Sequence, residues 1–209
     1  MKKIGSVIAI TLFTLNANAQ QLEGVTLKTG DLLFQNLDCG PLCDAIESVT
    51  EGFDGHDFSH NGLVYIKADS VYILEAMGKE VKMTPLASFA ARSKHKLYVG
   101  RLKPNYQPMI AKAIAFSLQN LHVPYDEVYL YDNGKYYCSE LIYDAFKYAN
   151  GGHPFFKLEP MTFKTAGKDE FNPAWVEYYK ELNVPIPEGK PGINPGGMSR
   201  SEKLVILNK

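Results

Sequence analysis

The chain has 209 residues, 45% of them hydrophobic, and a formal net charge of −1, enough for one domain with a sizeable core. Its 22 basic and 23 acidic residues form no basic run or tail, which excludes a charge-driven nucleic-acid surface. No internal repeat or long low-complexity stretch suggests a solenoid or a disordered linker.

At the N-terminus, Lys2 and Lys3 precede a mostly apolar run from Ile4 to Leu15. Ala17-Asn18-Ala19 follows as a small-x-small cleavage pattern, with Gln20 as the first mature residue. This is the pattern of a secretory signal peptide over 1–19. The run is too short to span a bilayer, and no second long apolar stretch follows. The mature domain, 20–209, is therefore expected to be exported, periplasmic or secreted, without stable membrane insertion. Segment 1–19 carries two lysines and no acid, so its removal leaves a net charge of −3.

Gly30-Asp31 before Leu32-Leu33-Phe34 reads as a turn entering a short buried strand. Cys39-Gly40-Pro41-Leu42-Cys43 can close a small disulfide loop in an oxidising compartment. That leaves Cys138 unpaired, the odd thiol of an exported chain. Asp44 to Glu51 reads as a short helix. Asn61–Ile66 and Val71–Ala76 are β-rich and flank Lys67-Ala68-Asp69-Ser70, a hairpin signal. Thr84 reads as the cap of a brief helix reaching Arg92, Lys96 to Leu102 as a strand, and Asn105 as the cap of a longer helix reaching Leu121.

Leu141, Ile142, Ala145, Phe146 and Ala149 recur at helical spacing, and Gly151-Gly152 supplies a stop. The helix is expected from about Cys138 to Asn150. The tail from about 151 reads as loops with one short helix near Trp175 to Leu182, exposed coil from Pro185 to Gly197, and an edge strand from Lys203 to Leu207. Strands and helices in irregular order indicate an α+β fold. The five histidines are scattered, and no Cys or His pair has zinc-site spacing with a second pair, so neither metal nor cofactor is expected.

The chemistry centres on Cys138. At a helix start, unpaired N–H groups and the helix dipole favour a thiolate. If Ile66 faces Val71 in the hairpin, Gly62 faces Glu75 and His60 faces Met77. His60 and Glu75 are then diagonal neighbours on one face, about 7–8 Å apart by backbone. A one-residue slip would separate them. In the paired register, a carboxylate on one imidazole nitrogen fixes the tautomer and leaves the other for a thiol. Cys138 is thus the candidate nucleophile, His60 the base and Glu75 the third member. The other reading of the same residues is ordinary packing for Cys138, a loop histidine and a solvated edge charge.

Three segments in order carry a resemblance: Gly30-Asp31-Leu32-Leu33-Phe34, Phe58-Ser59-His60-Asn61-Gly62-Leu63-Val64 and Tyr136-Tyr137-Cys138-Ser139-Glu140-Leu141-Ile142. With Pro124-Tyr125-Asp126 ahead of the cysteine, they resemble the permuted papain-like amidases of the YiiX/YaeF type, relatives of the NlpC-type cell-wall peptidases. The resemblance covers roughly Thr29 to Asn150. It implies a circularly permuted papain-like fold, a small antiparallel sheet or barrel against helices, and a Cys–His pair with a polar third member. NlpC-type peptidases usually carry Asp before the cysteine and Gly after the following serine, where this chain has Tyr137 and Glu140. The expected activity is amide hydrolysis through an acyl-enzyme on Cys138, the substrate being a small peptide or acylated amine. The Cys138 N–H is one oxyanion donor, and Tyr136 and Tyr125 are candidates for the second and for substrate binding. An ester or lipid-like substrate, and a non-catalytic module binding an amine or amino acid, are the alternatives. The sequence leaves the oligomeric state open.

Overall fold

The computed structural model describes residues 20–209, so the expected signal segment 1–19 lies outside them. In chain order the elements are β1 (Gln21–Leu22), β2 (Val25–Thr26), β3 (Leu32–Gln35), α1 (Pro41–Glu47), β4 (His60–Lys67), β5 (Ser70–Met77), β6 (Glu80–Pro85), α2 (Leu86–Ala90) and β7 (Tyr98–Leu102). There follow α3 (Ile110–Gln119), α4 (Cys138–Ala149), β8 (Glu159–Pro160), α5 (Pro173–Leu182), β9 (Pro191–Gly192), α6 (Pro195–Ser199) and β10 (Leu204–Ile206). Six strands form one open antiparallel sheet in the order β10-β7-β3-β4-β5-β6, so the fold is α+β and the sheet does not close into a barrel.

Alternation along the central strands explains the two layers. Leu32, Phe34, Leu63 and Leu74 join one cluster with Ile142, Ala145 and Phe146 of α4. Leu33, Val64, Ile73 and Val99 join the opposite cluster with Phe89 of α2. Because both faces are covered, β3 and β4 read as nearly continuous apolar runs. Each fully buried Leu or Phe here contributes about 1.5–3 kcal/mol of transfer free energy.

The hairpin of β4 and β5 has the register read from the sequence, Ile66 opposite Val71 and Lys67 opposite Ser70. Ala68 takes a left-handed φ of 51° in the two-residue turn. Helix α4 packs on β4 and β5 with α3 beside it, and nine of its residues are buried. Residue Asp126, buried, accepts the backbone N–H groups of Val128 (3.0 Å) and Leu130 (2.6 Å) and so shapes the loop before α4.

Several sequence expectations are corrected. Residues 80–85 form β6, so Thr84 lies in a strand rather than capping a helix, and α2 begins at Leu86. Alternation of Val81 and Met83 with polar neighbours suits an outer strand, and Pro85 ends it. The helix expected from Asn105 starts as a 3₁₀ segment, Pro104–Met109, because Pro108 lacks the N–H an α-helix would use. Pro185–Gly197 is not exposed coil: β9 pairs with β8, α6 follows, and Gly192, Ile193, Pro195 and Gly196 are buried. The edge strand near the C-terminus is β10, beside β7.

Candidate active site

Helix α4 begins where Tyr137 is extended (φ −90°, ψ 172°), making Cys138 the first helical residue. Its first-turn N–H groups have no carbonyl partner within the helix. Glu140, three residues past the cap, is buried. Its carboxylate accepts N–H groups from Asp132 (3.0 Å) and Tyr137 (3.4 Å) and so ties the preceding loop to the helix start. Burial, aided by Asp126 and Asp144, outweighs those hydrogen bonds and pushes the Glu140 carboxyl up to about 8.

Across from the helix start, His60 opens β4 and is 2% exposed. Its Nε2 lies 2.6 Å from Oε2 of Glu75, which is fully buried. That contact leaves Nδ1 as the ring nitrogen free for the thiol. Glu75 is also gripped from its other side. Thr84 Oγ1 donates to Oε1 at 2.5 Å, and Arg92 Nη2 donates to Oε1 at 2.9 Å and to Oε2 at 2.7 Å.

The electrostatics follow from these contacts. Burial alone would neutralise all three groups. For Glu75, burial is outweighed by His60 and Arg92, and its carboxyl falls to about 2. For His60, burial is outweighed by the neighbouring Cys138 thiol and by Glu75, and the imidazole rises to about 9. For Cys138, burial is outweighed by His60, the Ser139 hydroxyl and the Asn61 backbone N–H, so the thiol is lowered from its ordinary value. The direction is the same throughout: the arrangement favours a thiolate–imidazolium pair.

Beside Cys138 opens a cavity of about 470 Å³, the size of a small-molecule site. Its apolar wall includes Ile46, Phe156, Phe163, Trp175, Ile193 and Met198. Most of that wall comes from the tail past residue 150, pinned to the helix start by the Ile193 N–H donating to the Tyr137 hydroxyl at 3.1 Å. The wall on α1 is stapled by a Cys39–Cys43 disulfide with Cα atoms 5.4 Å apart, and Cys138 is the free cysteine among the described residues.

The structure thus brings Cys138, His60 and Glu75 together. Neither Tyr136 nor Tyr125 lines the cavity, but the buried Tyr125 hydroxyl contacts that of Tyr129, which does line it, and is pushed up by burial, Tyr129 and the nearby Cys138. Tyr136 and Tyr125 bridge each other by backbone and pack near Leu141 and Ala76, while the ring wall of the cavity is Tyr129, Tyr137, Trp175, Phe156 and Phe163. Sequence reasoning missed Arg92, Thr84 and the tail. The available signal was Val81-Lys82-Met83-Thr84 after a Gly78-Lys79 turn: read as a third strand, it brings Thr84 diagonal to Glu75. Asn61 accepts the Ser139 hydroxyl at 3.3 Å and so ties β4 to α4.

The family model of the permuted papain-like amidase enzymes, YaeF/YiiX, C92 family, matches residues 26–207. YiiX of Escherichia coli (strain K12) is 30% identical over 129 residues, 59% of this chain and 59% of that protein, so the match spans about three-fifths of the relative's length. A solved structure described as the metalloprotein YiiX from Escherichia coli O157:H7 aligns with a TM-score of 0.69 and 25% identity. The alignment covers 86% of this chain and 96% of that one. Both Glu75 oxygens are held by protein donors and His60 Nε2 by Glu75, which leaves His60 Nδ1 and Cys138 Sγ as two donors at this site, fewer than the three or four protein ligands a bound zinc takes. Among the described residues no group of three His, Cys, Asp or Glu side chains could hold a metal ion.

Proposed function

The chain belongs to the permuted papain-like amidases of the YaeF/YiiX type, which are cysteine hydrolases, and on that premise we propose that it is exported and hydrolyses the amide of an apolar acyl group through an acyl-enzyme on Cys138. The observation that carries the reading is the 2.6 Å contact of His60 Nε2 with Glu75, which leaves Nδ1 for a thiol at a helix start. His60 takes the Cys138 proton, and the thiolate attacks the carbonyl carbon. The Cys138 N–H, unpartnered within α4, faces the developing oxyanion. The imidazolium then protonates the departing amine. Water, deprotonated by His60, attacks the thioester and releases the acid, which restores the thiol.

Two features support the substrate class. The cavity next to the sulfur is walled mainly by aliphatic and aromatic side chains, which suits an apolar acyl group. In NlpC-type peptidases the stretch with Asp before the cysteine and Gly after the serine helps to recognise a free amine. Here Tyr137 stands in place of that Asp with its hydroxyl accepting the Ile193 N–H, and the buried Glu140 carboxyl is turned to backbone N–H groups, so neither side chain offers a carboxylate to an amine. Export is supported by the signal-like segment 1–19 and by the disulfide, which persists in oxidising compartments.

The test is turnover of a panel of N-acyl amines of increasing acyl length, short peptides and matched esters. Amide cleavage rising with acyl length, and falling at least about 10⁴-fold in Cys138→Ala, is the expected result. Turnover that Cys138→Ala leaves unchanged contradicts the reading, and cleavage confined to the esters moves it to the lipid-ester alternative.

A further inference from the structure

Glu75 is a carboxylate with no exposed surface, facing an imidazole that is itself buried. A buried carboxylate is costly unless it is paired and hydrogen-bonded. If its ionisation depended on His60 alone, one proton could move between the two groups and leave a neutral acid beside a neutral ring. The Cys138 thiolate would then lose its counter-charge.

Two groups from outside the Cys–His pair bear on that choice. Arg92, just past α2, reaches both oxygens of Glu75 with one nitrogen at 2.9 and 2.7 Å. Its guanidinium also lies over Phe89, 4.8 Å from the ring centroid, and Phe89 packs 5.7 Å from the His60 ring. Thr84 on β6 donates to Oε1 at 2.5 Å. The β6–α2 segment therefore wraps behind Glu75 and contacts the carboxylate and, through Phe89, the imidazole. Neither Arg92 nor Thr84 lines the cavity beside Cys138. The ionisable groups facing Glu75 are His60 from β4 and Arg92, with Cys138 of α4 beyond His60. Lys82, opposite Glu75 on β6, extends its ammonium over the Gly78 turn.

We propose that Arg92, assisted by Thr84, is a positioning residue that keeps Glu75 ionised and in one rotamer, so that the His60 ring stays charged and aimed at Cys138. The proposal rests on the reading of Cys138 and His60 as a working ion pair. Arg92 supplies the fixed positive charge that makes a proton on Glu75 unfavourable, and its contacts to both oxygens, with that of Thr84, set the plane of the carboxylate. Arg92 touches neither thiol nor cavity, so it acts on the chemical step and leaves substrate binding alone.

The experiment is the rate of Cys138 alkylation by iodoacetamide against pH, which reads the thiolate fraction without needing a substrate. In the unaltered protein the rate should stay high below the ordinary thiol range. In Arg92→Met the acid limb should move up by at least one pH unit, a roughly tenfold slower reaction on that limb. Arg92→Lys should recover part of the shift, because it restores charge without the two-oxygen contact. Thr84→Val should shift the limb in the same direction by less. With any cleavable amide, Arg92→Met should lower kcat about ten- to hundredfold, as outer partners of a reactive group do, at unchanged KM. A folded Arg92→Met with the unaltered alkylation profile overturns the proposal. If Arg92→Met does not fold, Arg92→Gln and Thr84→Val read the same limb, and unchanged profiles in both overturn it. Failure of the amidase reading is distinguishable: the profiles would then shift as described while no amide is cleaved by any form.

Discussion

At the scale of single residues, the site depends on how three buried groups divide two protons. His60 titrates near 9, above its ordinary value, so the imidazolium is present below that pH and lost as pH rises through it. Glu75 titrates near 2, below its ordinary value, so its stabilising contribution is present at neutral pH and lost as pH falls toward 2. An activity that needs the ion pair should therefore decline on the alkaline side near pH 9, with an acid limb below the ordinary thiol range. Glu75→Gln keeps a hydrogen-bonding group but withdraws the negative charge. It should move the alkaline limb downward and reduce kcat by about 10²- to 10⁴-fold. The check is the pH–rate profile of the folded variant, and an unmoved alkaline limb would remove Glu75 from the machinery. Cys138 and His60 were legible in the sequence because each sits at the edge of an element that its own neighbours define. Arg92 was not, since its approach to Glu75 depends on the unread strand β6 and the turn after α2.

Among the elements, the hairpin of β4 and β5 sets the geometry. Its register follows from a two-residue turn and from apolar alternation on both sides, and a slip of one residue would turn Glu75 to the other face. Gly62 lies between His60 and the rest of β4 on the face of Ile73 and Phe89. A Cβ there would stand 2.3 Å from Ile73 Cγ2, 3.3 Å from Phe89 Cε2 and 3.4 Å from Glu75 Cβ. Gly62→Ala should thus cost about 1–3 kcal/mol through overpacking. It should also lower turnover by displacing the carboxylate from the ring. Chemical denaturation with a turnover assay measures both. A variant of unaltered stability and activity would show that Ile73 yields freely and that the close packing behind His60 does not position it. The third hairpin strand escaped the sequence reading because Thr84-Pro85 imitates a helix start, and only pairing with β5 reveals the strand.

Over the whole molecule, the sheet and α4 supply the reactive pair, and the tail supplies the cavity. The sheet and α4 were readable because period-2 and period-3.6 patterns repeat along them. The tail has no such period. Its order comes from single contacts: the Phe53 N–H donates to the Ser199 hydroxyl at 2.9 Å, the Tyr179 hydroxyl to the Val128 carbonyl at 2.9 Å, and Gly196 lies where a Cβ would meet the Thr50 carbonyl at 2.5 Å. Trp175, Phe163 and Tyr179 build a separate small core with Ala45 of α1, and this core forms the far wall of the cavity. The molecule therefore joins a thiol beside His60 and Glu75 to an apolar chamber assembled by the tail, an arrangement that suits the acyl-enzyme proposed above. The most direct test is intact-mass and peptide-mapping spectrometry after brief exposure to an activated N-acyl amide and rapid acid quench. The account predicts one added acyl group, mapped to Cys138, that forms quickly in the unaltered protein and at least about 10²-fold more slowly in His60→Ala. Absence of an acyl group on Cys138 while the amide is being cleaved, or acylation equally fast in His60→Ala, would contradict it.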